Sequence, residues 1–434
     1  VRGAANVFSP TLGQPQAMEL AGLVTDGGNG FAVNKAGAGL LRISGTANTY
    51  TGGTNVLAGA LQVTATSGTP LGTGRVDIAP GVVLRVAGNG SVGGVSGVRV
   101  MSNIASLGTI TLDSDFSPGA AITGAFVSPW PSVVALATPV YGGTVDLSGG
   151  RSVYVGAGGG GSGTTEFVGS ITPGPLGLMG NTAFSTPAGA TGVYRVGAGG
   201  TLIFSGADNV FSGNRLVEVG TTTRSASWAA GGATGTVRIR NSNTYSGGTL
   251  LNYGSTLDVQ VGGAPGGSTP LGSGVVEVFP TADLRYSNPT GSAVNAATGL
   301  NANAVILRPG AFLTLDNSGV PFSGSGGQGR WADAAGLALN GAMFRFYGAP
   351  TAPTTETIGT LDTSLGTGQV LVSRAAGPGS ATLTLGGLTR SNGSNTRGTF
   401  VLTYSAGGSL GIPATGTITN YDRLVLSGGA ASVG

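Results

Sequence analysis

Gly39-Leu-Leu-Arg-Ile-Ser-Gly45 leads into Asn48-Thr-Tyr-Thr-Gly-Gly-Thr54, and nearly two hundred residues later Gly235-Thr-Val-Arg-Ile-Arg240 leads into Asn243-Thr-Tyr-Ser-Gly-Gly-Thr249. The likeness continues downstream. Pro70-Leu-Gly-Thr-Gly74 is matched by Pro270-Leu-Gly-Ser-Gly274, and Pro80 with Leu84-Arg85 by Pro280 with Leu284-Arg285, after five extra residues in the second copy. A third, weaker copy runs from Gly200-Thr-Leu-Ile-Phe-Ser-Gly206 to Asn209-Val-Phe-Ser-Gly213. Each copy reads as a short strand, a tight corner and a second strand. Asn48 and Asn243 tolerate the left-handed backbone that a corner can require. The pairs Gly52, Gly53 and Gly247, Gly248 permit geometry closed to other residues. With Tyr50 and Tyr245, these are the expected turn positions. One such unit cannot bury its own apolar face, so units must stack on one another.

The rest of the chain fits that reading. Glycine (85 residues) and proline (21) make up just under a quarter of it, near the range of disordered chains. Yet 40% of residues are hydrophobic and only 9% charged, the reverse of a disordered composition. The apolar residues fall in runs of three to six, such as Leu61-Gln-Val63, Val82-Val-Leu-Arg-Val86, Phe312-Leu-Thr-Leu315 and Arg423-Leu-Val-Leu426. Gly, Asn, Ser, Asp or Pro bound each run, which is the pattern of an all-β chain. No long glycine-free stretch has helical periodicity, and no run approaches the roughly 18 apolar residues of a membrane helix.

Strand, Asn-Thr-Tyr-[Thr/Ser]-Gly-Gly-Thr turn, strand, then Pro-Leu-Gly-x-Gly: this series resembles the autotransporter-associated β-strand repeat of bacterial surface proteins. The likeness is strong over 39–86 and 235–284 and fair over 200–213. It implies a right-handed parallel β-helix, a β-solenoid with loop insertions, exported to the extracellular space or the bacterial cell surface. It does not imply one activity. No C-terminal translocator barrel is read before Gly434, so three origins are open: a passenger cut from its barrel, a segment of a larger surface protein, or a chain exported otherwise.

Composition narrows the chemistry. With no Cys and no His, thiol nucleophiles, thiolate metal sites, disulfides and imidazole bases are excluded. The formal charge is +3, Lys35 is the single lysine, and the arginines are dispersed, so no nucleic-acid surface is expected. Gly156-Ala-Gly-Gly-Gly-Gly161 fits a dinucleotide-loop pattern, but no helix follows it. Asp113 and Asp115 would share a strand face, but a solvated strand end explains them better than a calcium site or paired-acid chemistry does. A β-helical polysaccharide lyase or hydrolase, the remote alternative, needs carboxylates and cations converging on one groove. The 17 acidic residues are too scattered along the chain to suggest that. No catalytic residue, metal or cofactor is expected. Trp130, Trp228 and Trp331 are candidate binding or assembly aromatics, against a packing role in the interior.

The expected layout is a lead-in with a candidate inter-subunit strand (1–30), solenoid with the first clear repeat (31–116), a loop-rich insertion with irregular rungs (117–198), solenoid with the second and third copies (199–290), and solenoid continuing to an uncapped end (291–434). The stretches 117–141 and 158–191, rich in proline and glycine, read as loops standing off the solenoid. A solenoid end exposes unpaired strand edges. The expected role is therefore structural: a rod or fibre segment that self-associates head to tail, or part of a larger surface protein. The alternative is an adhesin that binds glycan or host surface through its insertion loops.

Overall fold

The computed structural model describes residues 18–103, 106–149, 152–158, 163–176, 189–221, 235–260, 270–287, 305–319, 330–331, 333–374, 379–389, 399–404 and 422–426. The expected uncapped end from 427 onward, the lead-in up to 17, Trp228 and part of the 158–191 stretch lie outside them. The fold is a parallel β-helix: every described strand pair is parallel, and each strand pairs with the one a full turn of the chain later. The chain divides into two compact units, residues 1–206 with 220–236, and residues 207–219 with 237–434.

In the first unit, Met18–Leu20, Leu40–Ile43, Ala60–Val63, Val83–Val86, Gly108–Leu112, Ser132–Leu136, Val153–Ala157 and Val193–Val196 are successive neighbours in one sheet. A second sheet stacks Val33–Lys35, Thr54–Val56, Val76–Ile78 and Val98–Val100. The register explains the core. Leu41, Leu61, Leu84, Ile110, Val134, Val155 and Val196 lie directly over one another, and all are buried. Alternation does the sorting: Leu41 and Ile43 point in while Leu40 and Arg42 are half-exposed.

In the second unit, Thr256–Val259, Asp283–Ser287, Phe312–Asp316, Met343–Gly348, Thr367–Arg374 and Thr399–Tyr404 stack in order. Leu337–Ala338, Thr354–Asp362, Ala381–Thr389 and Asp422–Leu426 form another sheet. Here the buried columns are Leu257, Leu284, Leu313, Phe344, Val370 and Val259, Tyr286, Leu315, Phe346, Val372.

Two stretches depart from the sequence reading. Inside 117–141, Ser132–Leu136 is an ordinary rung strand, paired on one side with Gly108–Leu112 and on the other with Val153–Ala157. Inside 158–191, Thr164–Phe167 pairs with both Val140–Tyr141 and Thr201–Phe204. The described prolines there (Pro118, Pro129, Pro131, Pro139, Pro173 and Pro175) lie between the strands, not within them. The run Ser132-Val-Val-Ala-Leu136 does not alternate because every residue in it is buried; Leu107, Val133, Ala135, Tyr154 and Ala198 form a separate small core.

The second unit also buries charge. Glu356 is 1% exposed and accepts the backbone N–H groups of Arg330 (3.0 Å) and Trp331 (3.1 Å). Arg330, also buried, donates through Nε to Asn317 Oδ1. Burial pushes the Glu356 carboxyl up to about 7, against the hydrogen bonds from Arg330 and Trp331 and the Arg330 charge. An unfolded glutamate titrates near ~4.3. The folded chain therefore holds the extra proton between about pH 4 and pH 7, and this group's contribution to stability falls as pH rises through that window. In urea unfolding at pH 4.5 and pH 7.5, Glu356→Gln should remove this part of the pH dependence and leave a smaller loss of stability than the parent chain shows; an identical slope in both proteins would contradict the assignment.

Candidate functional site

The repeated turn is the first feature to build. Asn48 is buried between the rung below and the rung above. Its Oδ1 accepts the Val24 N–H (2.7 Å), and its Nδ2 donates to the Pro70 carbonyl (2.6 Å). Asn243 repeats this arrangement: Oδ1 accepts the Phe211 N–H (3.0 Å) and Nδ2 donates to the Pro270 carbonyl (3.0 Å). Tyr50 and Tyr245 are buried beside them, each hydroxyl 2.6 Å from the threonine four residues on, Thr54 and Thr249. The Phe211 ring of the weaker copy packs edge-on against Tyr245 at 6.2 Å. So the third copy is the rung directly beneath the second.

Both glycines of each pair are needed for different reasons. A Cβ on Gly52 would overlap the Gly30 carbonyl and Phe31 in the rung below. Gly53 has φ +89°, and a Cβ there would strike the Arg75 carbonyl in the rung above. Gly247 meets Arg215 below, and Gly248, also at φ +89°, meets the Val275 carbonyl above. Two polar groups secure the first turn further. The Thr51 N–H (2.9 Å) and hydroxyl (2.8 Å) donate to Asp26 Oδ2, and the Thr51 and Gly28 N–H groups hold that carboxyl down to about 2. Lys35, the single lysine, is buried and donates to the carbonyls of Ala36, Gly37 and Ala58.

The outward faces carry the charges, mostly in pairs between rungs. Arg42 Nε donates to Gln62 (3.1 Å), Gln62 to Asp113 (2.8 Å), and Arg85 pairs with Asp113 (2.9 Å). At the corresponding place in the second copy, Arg238 lies 3.4 Å from Asp258. Asp115 accepts the N–H groups of Gly142 and Gly143, both at 2.9 Å. Thus Asp113 and Asp115 serve different partners, and no group of three metal-ligating side chains occurs among the described residues.

One place on the second unit differs. Asp283, Arg285, Thr314, Asp316, Ser318, Arg345, Tyr347, Ser373 and Arg374, from four successive strands and the turn after the second, line a groove of about 360 Å³. Arg285 is paired with Asp316, and Thr314 donates to Asp283 (2.7 Å). Arg345 sits over the Phe312 ring at 3.6 Å, with its one paired carboxylate among the described residues, Asp283, at 3.9 Å. Burial raises the Asp283 carboxyl, while the Ser318 N–H and hydroxyl and the Arg285 charge outweigh burial to lower that of Asp316. Nothing in the linear spacing of these residues marks them as a group.

Residues 33–63 and 234–259 match the passenger-associated-transport-repeat family. The chain carries two passenger-associated-transport repeats. Comparison with curated proteins and with solved structures finds no match. Both repeats contain the Asn-Thr-Tyr-x-Gly-Gly-Thr turn, in which Asn48 and Asn243 bond to the rungs on either side. Repeats of this description imply secretion to the cell surface or extracellular space, and no helix among the described residues is long and apolar enough to cross a membrane. The aromatic candidates separate. Trp130 is exposed. Trp331 is a core residue, edge-on to Tyr286 at 6.4 Å with Nε1 donating to Ala335 (3.1 Å), so packing replaces the surface role considered for it.

Replacing Asn243 by Ala orphans a buried N–H and a buried carbonyl on two different rungs. The expected loss in chemical unfolding is about 1–3 kcal/mol for each. Asn243→Asp should be similarly harmful, because a carboxylate can accept from Phe211 but cannot donate to Pro270. Gly52→Ala should cost at least as much as the asparagine change.

Proposed function

We propose that this chain is a structural segment of an exported surface protein, joined to further copies or further repeats end to end by strand pairing. The observation that carries this reading is the junction itself. Asn48 and Asn243 make the same two bonds, up and down, in both repeats. The residues that recur are spent on attaching one rung to the next, which is the chemistry of a scaffold that lengthens by adding rungs. Parallel pairing supports the same idea, since a rung's outer edge offers unpaired N–H and C=O groups to any chain of like register. A contact between the top of one copy and the bottom of another would not close on itself, so it would give open growth.

Light scattering after size exclusion, with negative-stain microscopy at micromolar concentration, checks the assembly. Filaments or a ladder of oligomers are expected; a discrete monomer at all concentrations would overturn end-to-end joining. Protease accessibility on intact cells producing the protein checks surface display independently.

A further inference from the structure

Two strands of the first unit lie at the ends of their sheets among the described residues: Met18–Leu20 and Val33–Lys35. A strand in that place presents unpaired N–H and C=O groups to any chain of like register. On the second of these strands the Val33 N–H donates to the Gly53 carbonyl (2.9 Å) and the Lys35 carbonyl accepts from Leu57 (2.8 Å), so both residues bond toward the rung above. Asn34 lies between them, and alternation along a parallel ladder turns its N–H and C=O the other way, toward the open side.

The two edges differ at their inward positions. Met18 and Leu20 stand in register with the buried Leu41 and Ile43, so that edge continues an apolar column. At the other edge the inward residue beside the corner is Lys35. It stands in register with Val56, Ile78 and Val100, all wholly buried, so here an apolar column ends in an ammonium group. Lys35 is 6% exposed. Its Nζ donates to the carbonyls of Ala36 (3.3 Å) and Gly37 (2.6 Å) in its own corner and of Ala58 (2.9 Å) in the corner of the next rung. No carboxylate among the described residues pairs with it. Burial is what lowers its pKa from the ordinary value.

A charge pointing inward from an edge strand makes the addition of another strand costly. The methylene stem of Lys35 covers Val56 as a leucine would, while the ammonium keeps the demand of a compact, strongly hydrated charge. A strand laid on Val33–Lys35 would remove the last of its water and set an inward side chain against a charge that has no counter-ion. That desolvation costs more than the few backbone hydrogen bonds of a three-residue strand return. End-to-end joining is the process that would bring such a strand here, and the strand would belong to a second copy. We infer that Lys35 guards this edge against strand addition by a second copy of the chain. The inference goes beyond the joining proposed above and does not require it, because a guarded edge acts equally in a chain that stays a monomer.

The test compares association of the 434-residue chain and of Lys35→Met across a concentration series, by light scattering after size exclusion. Methionine keeps an unbranched stem and removes the charge. Lys35→Met should associate at a concentration at least about tenfold lower than the parent, or form oligomers where the parent forms none. Asn34→Pro, added to Lys35→Met, removes the N–H on the open side and should reverse that gain; Asn34 is exposed, and proline is tolerated on edge strands. Circular dichroism and melting curves matching the parent establish that each variant is folded. Lys35→Gln, neutral and still able to donate to the corner carbonyls, serves if Lys35→Met is not. Association unchanged from the parent in a folded neutral variant, or a gain that Asn34→Pro does not reverse, would overturn the inference. A monomeric parent beside an associating Lys35→Met would refute end-to-end joining of the native chain and support the guard.

Discussion

Strands in a sheet lie about 4.8 Å apart, and in a solenoid the corners must keep that spacing as well as the strands do. A strand meets the demand without help, because its own peptide groups point alternately to the neighbours on either side. A corner does not. At Asn48 and Asn243 a side-chain amide supplies what the turning backbone cannot, a carbonyl facing one rung and an N–H facing the other. The asparagine is in effect a peptide group set sideways, which carries the hydrogen-bond ladder around the bend. The glycine pair answers the same constraint by thinness. Gly52 lies against the rung below and Gly53 against the rung above, so neither leaves room for one more carbon.

Everything inside the turns follows from that fixed rise. Once the corners hold register, equivalent residues of successive rungs lie over one another, and an inward position on one strand is inward on the next. The column from Leu41 to Val196 in the first unit and that from Leu257 to Val370 in the second are the result. Each large side chain fully buried in such a column contributes roughly 1.5–3 kcal/mol. The outward positions are under no such control. An exposed ion pair contributes little, about 0–1 kcal/mol, so residues there can change without cost to the stack. A scaffold of this kind separates the residues that hold it together from those that can be given to recognition.

The buried Glu356 and Arg330 fit neither class. They are charges placed inside, with Asn317 and the backbone of Trp331 as partners. Such a cluster is costly unless its members are paired, and it draws the segment at 330–331 onto the strand Thr354–Asp362.

Alternation, turn residues and the repeated Asn-Thr-Tyr-x-Gly-Gly-Thr were legible in the sequence; by themselves they pointed to short strands wound into stacked rungs, and the family resemblance they carry implied the parallel β-helix. They are local signals: each depends on neighbours within one strand or one corner. The strand at 132–136 was not legible, because both its faces are covered and it therefore lacks alternation. The interior place of Trp331 and the groove around Arg345 were hidden for a second reason. Residues that touch across rungs are twenty to thirty or more positions apart, and that separation changes whenever a corner gains or loses residues. Asp283, Thr314 and Arg345 became neighbours only when the chain had wound and the lengths of the intervening corners had set which residue lies above which. Local chemistry is written in the order of the residues; vertical neighbourhood is a property of the stacked molecule.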